Sequence, residues 1–398
     1  MNQQAKRLST EQTYSSSNRV ADWLERNAAT IFILPAVLIV LFLSIFPLII
    51  SAFLSLARIR AVKGGNEIDF IGLKNFEKII FGSGKGEFVG LLRGFTPKEI
   101  EANGGGFNAF LASLTPAGWI IFIVVVGLLL FALAHYFRAK DRTTSGVLYR
   151  VVTFGILGYL TWFMLANFGG RPGSVSVTLA FVFFGLTLQY LIGLGLALLT
   201  TQKLSGRRFF RVIFLLPMMI TPVGVAYMFR MITDTSKGPL KPFFKALGLQ
   251  DFSWVNFPWG ARWAIIIGDV WQWTPFVFIV LLAAVEGLPT ELFEAAHVDG
   301  ASRWQIFWNI TMPQLIPVSA TVILIRMIEA FKIVDLPQVL TSGGPGTATQ
   351  SLTLHAFTTW RTGVSGWGEA TALAYMLMFL AIFIGTTYAN LIHQRVTR

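Results

Sequence analysis

The chain has 398 residues, 54% of them hydrophobic and only 13% charged, with 36 Phe, 12 Trp, no Cys and a formal net charge of +12. A soluble domain keeps about a quarter of its residues charged, so the composition excludes a water-facing globule and makes lipid the main solvent, in keeping with a mean hydropathy of +0.63. The missing cysteines exclude disulfides, iron–sulfur clusters and thiolate zinc sites; the scattered His135, His297, His355 and His393 have no metal-ligand spacing, and the basic residues form no stripe for nucleic acid.

Residues 1–27 are polar and Ser-rich, with Lys6, Arg7, Arg19 and Arg26. They read as a cytoplasmic N-terminal segment. The apolar run 28–57 that follows far exceeds the ~7–15 residues of a secretory signal core. It reads as a first transmembrane helix. Residues 58–116 are charged and Gly-rich, an external loop. Within them FGSGKGEF (81–88) imitates part of a phosphate-binding loop, but Ile79 and Gly86 stand where that motif needs Gly and Ser or Thr. If ATP is used, another chain binds it.

Seven further apolar runs follow, at about 117–137, 147–167, 177–200, 210–232, 262–286, 314–336 and 370–392, each near the ~20 residues that cross a bilayer. The expectation is an all-α membrane protein of about eight transmembrane helices. Loops 138–150 and 201–211 hold four basic residues each, whereas 167–175 holds one. The bias of basic residues toward the cytoplasm therefore sets both termini and the polar insert 287–313 inside. Loop 58–116 runs against the bias with eight basic residues, but six acidic ones accompany them.

The insert has its own logic. Thr290 can cap a helix after Pro289, and Glu291 and Glu294 fall in its first turns, where the helix dipole favours acids. Asp299 and Gly300 stop it, Gly being the residue that takes the left-handed conformation of a C-terminal cap. Ser302 and Gln305 have the spacing of a capping box, so a second helix starts at once and runs to Pro313. An L-shaped pair of helices results. It is either an interfacial loop without a partner or a projection whose small Ala295 and Ala296 let another surface come close.

The stretch EAAHVDGASRWQIFWNITMP (294–313) resembles the EAA motif of ABC-importer permeases, with Glu294, Ala295, Ala296, Gly300, Ile310 and Pro313 matching and Met312 replacing a Leu. FIGLKNFEKI (70–79), RRFFRVIFLLPMMITP (207–222), DVWQWTPFVFIVLLAAVEGLP (269–289) and DLPQVLTSGGPG (335–346) are similar to the carbohydrate branch, the maltose and glycerol-phosphate permeases. The resemblance covers about 29–80 and 177–393. It implies an ABC type I importer permease core at 177–393, and the chain departs from that family's six-span pattern by an insertion at about 81–176 that holds two extra spans. The resemblance also implies that helix 290–300 couples to a cytoplasmic ATPase dimer through Glu294, Ala295, Ala296, Asp299 and Gly300. ATP and Mg would sit on that dimer. A second related permease subunit, an external solute-binding protein and membrane lipid complete the implied partners.

Ionisable groups inside a span are costly and face a cavity or one another. Arg326, Glu329, Lys332 and Asp335 follow at three-residue intervals with alternating sign, so Arg326 and Glu329 are expected either to pair along the helix or to face a path. Asp269, Trp271, Gln272, Trp273 and Thr274 precede Pro275, a set suited to sugar hydroxyls and pyranose faces, with an aromatic belt as the alternative for Trp271. The resemblance implies sugar contacts at Met218 and Pro222, at Asp269, Trp273 and Phe276, and at Phe331 and Lys332, although Met218 and Pro222 offer no polar group. The function expected is a non-catalytic permease subunit of a sugar importer. The alternatives are a proton-coupled secondary transporter, favoured by the charged span, and a membrane glycosyltransferase, for which no catalytic cluster is visible.

Overall fold

The structure is a computed structural model that describes Trp23, residues 26–92 and 170–396 less a few scattered positions, and isolated helical positions between 119 and 127. Helix α1 (Arg26–Ser55) carries a π turn at Leu41–Ile45 and presents its apolar side chains outward, as a lipid-facing span does. It ends in an antiparallel hairpin, β1 (Ala57–Val62) with β2 (Gly65–Phe70), in which Ala57 faces Phe70 and Val62 faces Gly65. The two-residue loop between them is Lys63–Gly64, with Gly64 at φ +102° supplying the positive φ that such a turn requires. Short helices α2 (Lys74–Ile80) and α3 (Lys85–Phe88) follow. Strand β3 (Gly90–Leu92) then pairs antiparallel with β4 (Gly170–Pro172), Gly90 facing Pro172 and Leu92 facing Gly170. The spans expected at 117–137 and 147–167 lie outside the described residues.

Helix α4 (Ser174–Thr201) leads to α5 (Arg207–Met219), α6 (Pro222–Thr233), the short α7 (Lys241–Ala246) and α8 (Pro258–Glu286). The run 210–232 was expected to cross as one helix. It is instead broken after Met219 and bent by 97° between α5 and α6. The cause is local: a residue before proline avoids the helical region, and Thr221 sits extended at φ −63°, ψ 147° before Pro222. Helices α4 and α8 form the central pair. Gly193 permits their approach, since a Cβ there would meet Val277 Cγ1 at 2.9 Å. Two apolar clusters hold the pair, one around Val177, Phe181, Val225, Ile265 and Leu336, the other around Leu194, Val277, Phe278, Leu281 and Leu315.

Helix α9 (Thr290–Val298) precedes α10 (Arg303–Phe331), which includes a π turn at Phe307–Thr311; α11 (Leu352–Arg361) and α12 (Trp367–Val396) complete the chain. Among the described residues five helices can cross a membrane by length and hydropathy (α1, α4, α8, α10 and the apolar part of α12), or six segments if the bent α5–α6 pair counts as one. The fold is thus that of an all-α multi-pass membrane protein, its two small sheets lying at the end where α1 finishes and α4 begins.

That end is cross-linked by polar contacts. Asn75 Nδ2 donates to Ser55 O and Ala57 O at 2.8 and 2.9 Å, and Lys78 pairs with Glu369 at 2.5 Å. His355 on α11 is buried, with Nδ1 3.1 Å from Ser174 Oγ and Nε2 3.3 Å from Glu87 Oε2. A neutral tautomer with its proton on Nε2 satisfies both contacts. Burial holds this imidazole below its ordinary value of 6.5, against the opposing pull of Glu87 and Glu369. A histidine with a depressed folded pKa binds its proton first in the unfolded chain, so the stability it contributes is complete above the unfolded value and is lost as pH falls below it. The unfolding temperature of the detergent-solubilised chain should therefore fall between about pH 7 and about pH 5.5, and fall less steeply in His355→Gln. Equal pH slopes in both proteins would contradict the assignment.

Candidate functional sites: a polar elbow and a buried charge network

The polar insert forms the expected elbow. Pro289, not Thr290, occupies the N-cap, and Thr290 is the first helical residue of α9, without a side-chain cap. The helix closes with a double hydrogen bond, Gly300 N to His297 O at 3.1 Å and Ala301 N to Ala296 O at 2.9 Å, the Schellman pattern that needs a left-handed residue. Gly300 supplies it at φ +72°. Ser302 then caps α10 reciprocally, its Oγ accepting from Gln305 N at 3.3 Å while Gln305 Oε1 accepts from Ser302 N at 2.7 Å.

Few of the elbow's side chains turn inward. Ala296 is buried, but Glu291, Leu292, Glu294, Ala295, Asp299 and Gly300 are exposed, and Val298 is 88% exposed. Trp304, Phe307 and Trp308 stack among themselves on the adjoining turn at centroid distances of 5.0–6.0 Å. The elbow shares its end of the molecule with the basic loop before α5: Arg211 pairs with Glu286 at the foot of α8 and donates to Thr200 O at 3.3 Å.

The second site lies where α4, α8 and α10 meet. Arg326 Nη2 reaches both Asp269 oxygens at 2.6 Å, and its Nε donates to Gln189 Oε1 at 2.9 Å. Gln189 Nε2 donates to Asp269 Oδ2 at 2.8 Å and approaches Asp269 O at 3.2 Å. Arg326 is 2% exposed and Gln189 0%. The guanidinium lies 4.7 Å from the Trp273 ring centroid, within cation–π range. The alternative of an Arg326–Glu329 pair is thereby corrected. A buried guanidinium needs a partner equally withdrawn from water, whereas Glu329 lies outward and pairs with Lys332 at 2.8 Å.

A cavity of about 220 Å³ opens beside the network, lined by Pro222, Asp269, Gln272, Trp273, Arg326, Glu329 and the segment Lys332–Leu336. It therefore gathers Pro222, Asp269, Gln272, Trp273 and Lys332 of the residues expected on a substrate path. It does not gather Met218, Phe276 or Phe331. Met218 is exposed on α5, Phe276 packs with the α4–α8 core, and Phe331 is buried against Val182, Met327 and Ala330. Gln272 Nε2 donates to Ile220 O at 3.1 Å, satisfying a carbonyl freed where α5 breaks from α6. Gln189 escaped the sequence reading, although a lone amide inside the apolar run 177–200 was itself a signal of a buried polar contact.

Residues 189–398 match the family described as binding-protein-dependent transport system inner membrane component. The chain belongs to this family. The permease is 36% identical over 211 residues to the trehalose/maltose transport system permease protein of Thermococcus litoralis, covering 53% of this chain and 72% of that one. It is 27% identical over 278 residues to a probable starch degradation products transport system permease protein of Thermoanaerobacterium thermosulfurigenes, covering 68% and 90%. Among solved structures, a bacterial ABC transporter involved in the import of the acidic polysaccharide alginate aligns with TM-score 0.51 and 25% identity over 56% of this chain and 79% of that one. The permease is thus a multi-pass inner-membrane transport subunit of an ABC importer, and nothing in these likenesses favours a secondary transporter. Among the described residues no cluster of three His, Asp or Glu could hold a metal.

The network predicts a non-additive pair of substitutions. Arg326→Met strands the Asp269 carboxylate and should cost about 3–5 kcal/mol of stability. Adding Asp269→Leu should recover much of that loss, because both charges then leave together. Thermal unfolding of the solubilised permease checks this; a double variant worse by the sum of the single losses would contradict it.

Proposed function

We propose that the permease carries a sugar of the oligosaccharide, α-glucoside or polyol class across the cytoplasmic membrane, driven by ATP hydrolysis on a partner ATPase dimer. The elbow is the observation that carries the driven part of this reading. Its two caps fix the angle between α9 and α10, and α10 continues as one helix to Arg326. A push on α9 is therefore delivered along α10 to the network beside the cavity. Exposed Leu292 and Val298 with Glu291, Glu294 and Asp299 around them suit a groove in a cytoplasmic protein. Glu294, Ala295, Asp299 and Gly300 are its contact residues, whereas Ala296, also expected there, is buried and packs the elbow from within.

The sugar class is supported by the names of the relatives and by the cavity. Gln272 and Trp273 present an amide and an indole, and Glu329 and Lys332 add polar groups at its lining. Asp269 has a lesser part than its residue type suggested, because both its oxygens are engaged by Arg326 and Gln189. Met218, Phe276 and Phe331 act, in this reading, on helix packing rather than on sugar. A second related permease subunit covers the lipid-exposed apolar faces of α5 and α6, including Met219, Val223 and Tyr227. An external solute-binding protein delivers the sugar to the end that carries α11. Both termini and the elbow are cytoplasmic, as the basic loop 201–211 beside the elbow supports.

Gly300→Pro removes the left-handed stop, and Glu294→Lys reverses a contact charge. Each should lower ATP-driven sugar uptake by at least about tenfold, the loss of ~1.4 kcal/mol of coupling or more, while the chain still inserts in the membrane. Normal uptake by both variants would exclude coupling through the elbow.

A further inference from the structure

The charges around the cavity do not cancel. Arg326 is neutralised by Asp269, and Lys332 by Glu329 at 2.8 Å. Among the described residues one lining charge is left over, the carboxylate of Asp335, which is half-buried and has no ion pair or side-chain hydrogen bond to any of them. Its position has a local reason. Asp335 opens the short helical turn that runs on through Pro337–Thr341, and the free amides at a helix start favour an acid there. Those partial charges offset only part of a full one. Gln272 adds to the same bias, because its Nε2 is committed to Ile220 O, leaving its carbonyl oxygen as the group to meet a solute.

We infer that this cavity is selective for uncharged or cationic solutes and rejects anionic ones, with Asp335 as the residue that sets the sign. The inference rests on the reading that the cavity is on the sugar path. Within that path it narrows the substrate class: hydroxyl-rich neutral saccharides donate hydrogen bonds to Asp335 and Gln272, amino sugars add a charge attraction, and uronic, sulfonated or phosphorylated sugars meet a like charge in a site partly withdrawn from water, where screening is weak.

The test uses the intact complex of the permease with its co-purifying subunits, without the solute-binding protein, so that the selectivity of the latter does not enter. Equilibrium binding is measured for three probes of one length: maltotriose, a glucosamine trimer and trigalacturonate. The glucosamine trimer should bind at least as tightly as maltotriose, and trigalacturonate at least about tenfold more weakly at low salt. Asp335→Asn should bring the anionic and neutral affinities several-fold closer together, whereas Asp335→Glu should keep them apart. The probe order in the unsubstituted complex stands as a test even where Asp335→Asn fails to assemble. Equal binding of trigalacturonate and maltotriose, or a ratio unmoved by Asp335→Asn, would overturn the charge selectivity and leave the sugar path intact. Binding of none of the three probes, together with no uptake of any of them by the complete system, would overturn the sugar path and the inference with it.

Discussion

A charged pair held inside lipid constrains this molecule more than any other contact. Arg326 and Asp269 sit within helices that must cross a hydrocarbon layer, and neither ion is tolerable there alone. Their solution is geometric. One guanidinium nitrogen is shared by both carboxylate oxygens, and Gln189 bridges the two partners, accepting from Arg326 Nε and donating to Asp269 Oδ2. Because the three residues come from α4, α8 and α10, satisfying them fixes the relative rotation of those helices. The apolar clusters then pack around an arrangement that polar geometry has specified.

The cavity follows from the same arrangement. With Arg326 turned toward Asp269 and laid on Trp273, the end of α10 presents Glu329 and Lys332 to open space, and the chain leaves the helix through Asp335. The break between α5 and α6 supplies another wall. A helix interrupted within a membrane needs its freed backbone groups satisfied. Gln272 does so for Ile220 O, and Thr221 Oγ1 accepts from Gly224 N. A polar recess beside a rigid staple is thereby built from elements that each have a separate physical reason to be there.

Much of this was legible in the residues. The elbow could be read almost atom by atom, because Gly300, Ser302 and Gln305 act through local backbone rules that need no tertiary context. Helices α1, α4, α8, α10 and α12 were visible as apolar runs for the same reason. What the sequence withheld was long-range choice. Spacing along α10 suggested Glu329 as the partner of Arg326, but the partner lies 57 residues away on α8, since burial rewards the bidentate contact and an i,i+3 pair at a surface gains little. The break after Met219 was foreshadowed by Pro222, yet a proline alone does not tell a kink from a 97° turn. The hairpin β1–β2 was hidden in a stretch whose charges and glycines spoke only of an exterior loop.

In the proposed reading the permease is a subunit that converts a partner's motion into passage: the elbow receives a displacement, α10 carries it, and the network and cavity at its far end respond. The most direct measurement is sugar uptake by proteoliposomes that hold the complex purified from its native membrane, with ATP on the ATPase side and the proton gradient collapsed by an uncoupler. The account predicts uptake that requires ATP and is indifferent to the uncoupler. Uptake that follows an imposed proton gradient in the absence of ATP would contradict it.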